Sequence, residues 1–414
     1  MGFHLPEKKG GKRSQSTGKR ILSPRVKLAL LIAAAVLMVL LAAVCVMYFR
    51  MVRKPVLPSA KPAASHSLSP EGEEGELGGR PDVQSKVSGT RKSEDYFTIL
   101  VFGSDESSGL TDTMMLVSYD VTNQKATVMS IPRDTLSNVN AKSLVSRKMN
   151  AVYKVYGGGE EGVEALRTEV SELVGFWPDY YIMIDWELVG QMVDAIGGVW
   201  FDVPRQMDYD DPTQDLHIHQ QAGYRLLSGD DAMQVVRWRK NNDGSGGANG
   251  DIGRLEIQHD FLSAVLDQTL QLKNVTKINE LSKLFGDNVE SDLSFENLLW
   301  FATQAIMGGL KTEDVEFTTM PFEYGYYGGV SFVYPDEDEL IAMINQSLNP
   351  FEQEVTIDQL DLMSVGADGS LRSSSGRVAG SAASSGTSGS SSGGSASAAP
   401  VPTLTPAPAA TKTP

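Results

Sequence analysis

The chain has 414 residues, 41% of them hydrophobic, and a formal net charge of −16. This length allows two or three domains and a sizeable core. The acidic balance argues against nucleic acid as a partner, because phosphate backbones are bound by basic surfaces. The single cysteine, Cys45, excludes a disulfide framework.

The first 49 residues predict a membrane anchor. Residues 1–27 hold eight Lys or Arg and one Glu, so their net charge of +7 leaves −23 on the remainder. The segment 28–49 has 22 residues without a charge. At about 1.5 Å per residue, it spans the roughly 30 Å hydrocarbon core of a bilayer. A signal peptide is the alternative, although its apolar stretch is usually about 7–15 residues long.

The charges on either side of this segment predict its orientation. Four basic residues follow it, against eight before it: Arg50, Arg53, Lys54 and Lys61. Loops that remain in the cytoplasm carry the excess of positive charge. We therefore predict a bacterial single-pass protein of the cell membrane, with a cytoplasmic basic tail at 1–27, a transmembrane helix at 28–49 and an extracellular body.

Composition divides the body into three parts. Residues 50–94 are rich in Pro, Ser, Gly and Glu, which predicts a disordered linker. Residues 95–350 are globular in composition, with the predicted core of the extracellular domain at 95–272. Residues 351–414 are rich in Ser, Gly, Ala and Pro and are predicted to be a disordered tail.

Hydrophobic periodicity predicts strands that alternate with helices in the globular part. The predicted strands lie at 96–102, 114–119, 127–131, 180–184, 199–203 and 315–320. The predicted helices lie at 162–173, 187–196, 229–237, 254–272, 295–306 and 337–348. This alternation favours a layered α/β domain.

Acidic and basic side chains occupy the connections between the first three strands. Asp105 and Asp112 are seven residues apart in one connection, and Arg133 follows the third strand. Two carboxylates at this spacing can converge on a hard cation such as Mg²⁺, while a guanidinium can face an anion bound to it. The pattern indicates a phosphate site. The alternative is a set of solvated loop residues.

A second group of charged residues brackets a glycine-rich loop. Arg237 and Arg239 close one predicted helix, and Asp251 and Arg254 open the next. Three guanidiniums and a helix N-terminus suit an oxyanion with several faces, such as a pyrophosphate. The alternative is a surface loop in which Asp251 caps the helix.

Other motifs are absent or weak. The sequence has neither a Walker A loop nor a Gly-x-Ser-x-Gly elbow. His217 and His219 alternate in a β-like run, but no HExxH motif or cysteine partner accompanies them. We interpret them as surface histidines rather than a zinc pair.

Six landmarks in order give the chain a family resemblance. It resembles the LytR–CpsA–Psr family of bacterial cell-wall glycopolymer transferases from about 96 to 272, with a looser extension to about 350. The landmarks are FGSD (102–105), TDTMML (111–116), SIPRDT (130–135), KMNAVYKVYGG (148–158), VDAIGGV (193–199) and RWR…GDIGR (237–254).

The resemblance implies a central mixed β-sheet flanked by helices, with a long apolar pocket for a polyprenyl chain. It implies a Mg²⁺-dependent phosphotransferase, with Mn²⁺ as the alternative ion. The expected partners are a polyprenyl-pyrophosphate-linked glycopolymer, peptidoglycan and the membrane. The expected reaction moves the phosphate-linked glycopolymer from its carrier to peptidoglycan.

The resemblance also implies roles for particular residues. The expected metal ligands are Asp105 and Asp112. The expected phosphate-binding residues are Arg133, Arg237, Arg239 and Arg254. The expected catalytic residues are Arg133, Arg237, Arg239 and Asp251, with Asp251 or Asp134 as the base or as a residue that orients an arginine.

The chain departs from the family pattern at three positions where arginine is common: Glu106, Leu110 and Ile257. The loss of three positive charges predicts a weakened phosphate pocket and weakened activity. It also keeps a second interpretation open, in which the chain is a non-catalytic polyprenyl-phosphate-binding or regulatory envelope protein.

Overall fold

The computed structural model describes residues 52–58, 86–104, 109–213, 216–246, 250–270, 283–286 and 289–379. All of these residues belong to one compact unit. The predicted transmembrane helix at 28–49 lies outside the described residues. Within them, no helix combines the length and the apolar character needed to cross a membrane.

Runs of strands are separated by helices along the described chain. The strands are β1 (Tyr96–Ser104), β2 (Thr111–Asp120), β3 (Lys125–Ser130), β4 (Tyr180–Asp185), β5 (Val199–Val203), β6 (Met207–Asp211), β7 (Leu216–Gln220), β8 (Gly223–Leu227), β9 (Val289–Ser291), β10 (Val315–Thr319), β11 (Phe322–Tyr327), β12 (Val330–Pro335), β13 (Met363–Val365) and β14 (Leu371–Ser373). The helices are α1 (Val152–Val155), α2 (Gly159–Val174), α3 (Trp186–Ala195), α4 (Gly229–Arg237), α5 (Gly250–Thr269), α6 (Phe295–Gly308) and α7 (Glu337–Met343), and a π-helical turn at Ile344–Leu348 extends α7.

The central sheet has six strands in the order β10-β3-β2-β1-β4-β9. The pairs β1–β2, β2–β3 and β4–β9 are antiparallel. The pairs β1–β4 and β3–β10 are parallel. The sheet is therefore mixed, and the predicted α/β fold with a central mixed sheet is confirmed.

Both faces of the sheet are covered. Successive side chains of a strand point to opposite faces, so Phe97 and Leu100 of β1 belong to different clusters. Leu100 packs in the cluster that contains Leu166 of α2. Phe97 packs in the cluster that contains Phe301 of α6, with the two ring centroids 5.0 Å apart. Helices thus flank the sheet on each side.

A third apolar cluster joins the antiparallel pair of β5 and β8 to α4 and α5. Trp238, directly after α4, is buried in it. Helices α4 and α3 approach so closely that a Cβ at Gly229 would stand 2.3 Å from the carbonyl oxygen of Gly190. Only glycine permits this approach. It fixes the position of α4, which ends at Arg237.

Two stretches predicted to be disordered pack on the domain instead. In the predicted linker, Val87 is buried, and the guanidinium of Arg91 donates to both carboxylate oxygens of Asp179 at 2.8 Å. In the predicted tail, β13 and β14 pair, and Val355 and Leu360 are buried. The predicted boundaries at 94 and 350 are corrected accordingly: the folded unit includes 86–94 and continues to 379.

Candidate functional site

The ends of β2 and β3 bring Asp112 and Arg133 together. The two strands pair antiparallel, with Met115 opposite Ser130, so the start of β2 lies beside the end of β3. Nη1 of Arg133 donates to Oδ1 of Asp112 at 2.9 Å, and both side chains are partly exposed. The local sequence accounts for this, because each residue lies at or just beyond the end of a regular strand.

Further charges extend this pair. Oδ1 of Asp134 lies 4.0 Å from Nε of Arg133 and 3.1 Å from Nζ of Lys148. The backbone N–H of Asn150 donates to the carbonyl of Arg133 at 3.0 Å, which holds the 148–150 segment against this loop. The sequence analysis did not predict Lys148 as a residue of this site, although Lys148 opens the KMNAVYKVYGG landmark.

An apolar cavity of about 170 Å³ lies between the sheet and helices α3, α4 and α5. Most of its surface is apolar, although five of the lining residues carry polar side chains. The lining consists of Val101, Phe102, Gly103, Thr113, Met115, Ser130, Ile184, Asp185, Val189, Val236, Gln258, His259, Phe261 and Leu262. Thr113 lines the cavity and follows Asp112 in β2, so the charged group lies one residue along the strand from the cavity wall.

A few polar groups belong to this lining. The Ser130 hydroxyl lies 2.8 Å from Nε2 of His259. Burial lowers the pKa of His259, so the imidazole is neutral over more of the pH range. The hydroxyl of Thr113 is buried and has no hydrogen-bond partner within the described part of the chain. The sequence analysis did not predict Ser130 or His259 as site residues. The only signal was that Ser130 ends β3 and that His259 stands beside Gln258.

Of the predicted arginines in the second group, Arg237 ends α4, Arg239 follows it, and Arg254 lies on α5. Arg237 and Arg239 are exposed, and Arg254 is only 6% exposed. Val236, which precedes Arg237, and Gln258, which stands one turn after Arg254, both line the cavity. Nε2 of Gln258 donates a 3.0 Å hydrogen bond to the Val236 carbonyl. The two segments that carry the arginines thus meet at the cavity wall.

Three predicted residues fall outside what the structure describes. Asp105 and Glu106 lie outside the described residues, as does the side chain of Asp251. The assignments of Asp105 and Asp251 therefore stay predictions. Leu110 is half-buried, whereas Ile257 is 7% exposed and packs in the cluster of β5–β8, α4 and α5.

The donor chemistry around Asp112 fits Mg²⁺. Mg²⁺ is usually held by one or two carboxylates, with waters and substrate phosphates completing the octahedron. Arg133 donates to Oδ1 of Asp112, and within the described part of the chain Oδ2 of Asp112 has no hydrogen bond that would compete with a cation. Among the described residues, a group of three or more converging His, Cys, Asp or Glu occurs at Asp210, His217 and His219 and not at Asp112. An ion at Asp112 would therefore need substrate oxygens and the predicted ligand Asp105 to complete its coordination.

Comparison with known proteins identifies relatives of the whole domain. The sequence model of the LytR_cpsA_psr family matches residues 67–349. The chain is 28% identical over 280 residues to the polyisoprenyl-teichoic acid–peptidoglycan teichoic acid transferase TagU of Oceanobacillus iheyensis, covering 66% of this chain and 82% of the relative. It is 26% identical over 268 residues to TagV of Bacillus subtilis, a transferase of the same name, covering 63% of this chain and 65% of the relative. It is also 24% identical over 269 residues to regulatory protein MsrR of Staphylococcus aureus, covering 64% of this chain and 75% of the relative.

Solved structures share the fold. The crystal structure of B. subtilis TagV superposes with a TM-score of 0.50 at 24% identity, covering 61% of this chain and 95% of that one. Protein gbs0355 from Streptococcus agalactiae superposes with a TM-score of 0.53 at 20% identity, covering 64% of this chain and 92% of that one.

Proposed function

Because the chain belongs to the LytR–CpsA–Psr family, we propose that it transfers a phosphate-linked glycopolymer from a polyprenyl-pyrophosphate carrier to peptidoglycan. The observation that carries this proposal is the Asp112–Arg133 pair beside an apolar cavity. A lipid-linked pyrophosphate has the matching construction, an anionic headgroup on an apolar chain. The cavity would take the first part of the polyprenyl chain.

In the proposed transfer, each site residue has a separate role. A sugar hydroxyl of peptidoglycan attacks the phosphorus that carries the glycopolymer, and the bond from this phosphorus to the bridging oxygen of the pyrophosphate breaks. The polyprenyl monophosphate leaves, and the hydroxyl proton passes to a base, for which Asp134 and Asp251 are candidates. Mg²⁺ bound at Asp112 and Asp105 would neutralise charge on the pyrophosphate.

The arginines stabilise the charge that moves during this step. Phosphoryl transfer depends mainly on positioning and on neutralisation of phosphoryl oxygens. Nη1 of Arg133 donates to Oδ1 of Asp112 at 2.9 Å, so its positive charge lies beside the proposed metal ligand. Arg254 is buried beside the cavity wall, where a guanidinium interacts with an anion more strongly than it does in water.

The proposal is tested by reconstitution. The full chain in detergent is incubated with a synthetic polyprenyl-pyrophosphate-linked glycopolymer, MgCl₂ and isolated peptidoglycan. We expect covalent attachment of the polymer and release of polyprenyl monophosphate in equal amounts. Saturable binding of the carrier with no attachment and no release would contradict the transferase proposal.

Binding of the carrier without transfer would support the alternative, a non-catalytic polyprenyl-phosphate-binding or regulatory protein. The observation that favours it is the position of Ile257. It is buried among apolar side chains, whereas members of the family often carry arginine there. The chain therefore lacks a cation that the family places close to Gln258.

The arginine residues give a direct test of the charged site. Substitution of Arg237, Arg239 or Arg254 by Ala should each slow transfer about 10- to 100-fold, because a charge-assisted hydrogen bond is worth roughly 1.5–3 kcal/mol. Arg254→Lys should recover only part of the rate, since Lys lacks the bidentate fork. Initial rates at saturating carrier measure the effect. Arg372→Ala is the control, because Arg372 is an exposed residue of β14. Equal rates for all variants would show that none of these arginines contacts the transferred phosphate.

We further propose that the domain lies outside the cell and that 28–49 anchors it. The support is the charge asymmetry about this apolar segment. Protease added to intact protoplasts should digest the domain and leave a short membrane-bound fragment. Full protection of the domain, with digestion after lysis, would contradict this orientation.

A further inference from the structure

We propose that the β6–β7 hairpin binds a transition-metal dication of the Zn²⁺ class through Asp210, His217 and His219. This site lies on a different element from Asp112 and takes a different class of ion. It corrects the interpretation of the two histidines as isolated surface residues.

The strand register places acids opposite histidines on one face of the hairpin. Asp208 pairs with His219, and Asp210 pairs with His217. Residues between them point to the other face, where Ile218 is buried. All four polar side chains are about half exposed or more. The outward face therefore presents two carboxylates and two imidazoles to solvent.

Three donor atoms on this face converge. Oδ1 of Asp210 lies 2.5 Å from Nδ1 of His217 and 3.4 Å from Nε2 of His219. The ligand atoms of the three residues all lie within 4.8 Å of one another. Tetrahedral Zn²⁺ with bonds of about 2.0–2.2 Å holds its ligands roughly 3.3 Å apart. Small rotations of exposed side chains are enough to reach this geometry.

Asp208 orients one of the ligands. Its Oδ1 lies 2.8 Å from Nδ1 of His219. A carboxylate accepts hydrogen bonds, so Nδ1 carries the proton and Nε2 presents its lone pair toward Asp210. A carboxylate behind a histidine in this way is the usual second partner of a metal-bound imidazole. This arrangement is independent of the convergence of the three donor atoms.

The backbone of the hairpin is held in place from the side. The amides of Asp208 and Asp210 donate to the side-chain oxygens of Asn241 and Asn242, each at 2.8 Å. The amide of His219 donates to Oε1 of Gln234 on α4 at 2.8 Å. The strands are therefore fixed before any ion binds, which lowers the entropy cost of assembling the ligands.

The types of donor atom at this site determine which metal ions it favours. Two imidazole nitrogens and one carboxylate oxygen suit Zn²⁺, Ni²⁺ or Cu²⁺, whereas Mg²⁺ and Ca²⁺ favour oxygen-only sets. Three protein ligands leave a fourth position for water or for a donor from another molecule. A bound ion would also link β6 to β7 directly.

The test titrates the untagged full chain with Zn²⁺ by calorimetry, and with Co²⁺ by visible absorption. We expect one Zn²⁺ per chain at this site and a tetrahedral Co²⁺ spectrum. His217→Ala, His219→Ala and Asp210→Asn should each weaken binding by at least about 10-fold. Asp208→Asn should weaken it about 10- to 100-fold while retaining all three ligands. Asp338→Asn, an exposed acid of α7, is the control and should bind Zn²⁺ as the unmodified chain does.

Two results would overturn the proposal. One is Zn²⁺ binding that the paired substitution of His217 and His219 by Ala leaves unchanged, which would place the ion elsewhere. The other is no Zn²⁺ binding at micromolar concentrations, which would leave the four residues as cross-strand ion pairs only. Equal unfolding midpoints of the variants without metal would confirm that each is folded. A transferase assay run in parallel separates this site from the proposed reaction.

Discussion

We expect Asp112→Asn to lower Mg²⁺-dependent glycopolymer transfer by at least about 100-fold, roughly 2.7 kcal/mol in activation free energy. Asn preserves the shape and one acceptor for Arg133 but removes the charge that would hold the cation. The fold should tolerate the change, because the Asp112–Arg133 pair is partly exposed and such pairs contribute about 0–1 kcal/mol. The rate of polymer attachment and the thermal midpoint are the two measurements.

The matched control for this substitution is Asp292→Asn. Asp292 also pairs with an arginine, Arg167, at 3.3 Å, with a similarly exposed carboxylate side chain. It lies directly after β9 and outside the cavity lining, so the control variant should retain transfer within about twofold. If Asp112→Asn transferred polymer at the unmodified rate with an unchanged midpoint, Asp112 would not be a metal ligand.

The largest expected effect on stability concerns the buried pair of Lys86 and Glu172. Nζ of Lys86 lies 2.6 Å from Oε2 of Glu172, and both side chains are 5% exposed. Lys86→Met leaves the carboxylate buried without its partner, which should cost about 3–5 kcal/mol at pH 8. Lys86→Met combined with Glu172→Leu should recover most of this loss, since an apolar pair avoids desolvation. Urea unfolding of the unmodified chain and of these two variants measures the free energies.

The effect of Lys86→Met should depend on pH. Burial raises the pKa of Glu172 from 4.5 to about 7, while Lys86 lowers it. The folded chain therefore binds more protons at this group than the unfolded chain between about pH 4.5 and 7, so its contribution to stability falls as pH rises through that window. The cost of Lys86→Met should thus be much smaller at pH 5 than at pH 8.

A solvent-exposed ion pair supplies the comparison for Lys86. Lys311 and Glu313 lie 2.9 Å apart with side chains that are 69% and 72% exposed. Lys311→Met should leave the unfolding midpoint unchanged at both pH values. An equal loss of stability for Lys86→Met at pH 5 and pH 8 would show that its packing, and not the charge of Glu172, matters.

Local sequence was sufficient for the elements with strong periodicity. β1, β2 and β3 were predicted within a few residues of their ends because their residues favour strands and their turns are polar. Local sequence did not predict the elements whose periodicity and propensity are weak. The acidic β6 and the three-residue β9 carry little propensity of their own, and pairing with β7 and β4 forms them.

The candidate site divides in the same way. The landmarks predicted Asp112 and Arg133 as members of one site, and the structure adds their direct contact. The residues that complete the cavity, such as Ser130 and His259, come from segments 129 residues apart. The three departures from the family pattern were interpreted as equivalent lost charges. The structure distinguishes Ile257, where arginine would have to be buried in an apolar cluster.

The sequence by itself determined the strands and helices with strong periodicity, the single acidic globular body, and the shared face of His217 and His219. These properties depend on neighbours along the chain. Only the tertiary structure decided that Asp208 and Asp210 face those histidines, that Lys86 meets Glu172, and that β10 pairs with β3. Register and long-range pairing are set by the packing of the whole core, which no local pattern contains.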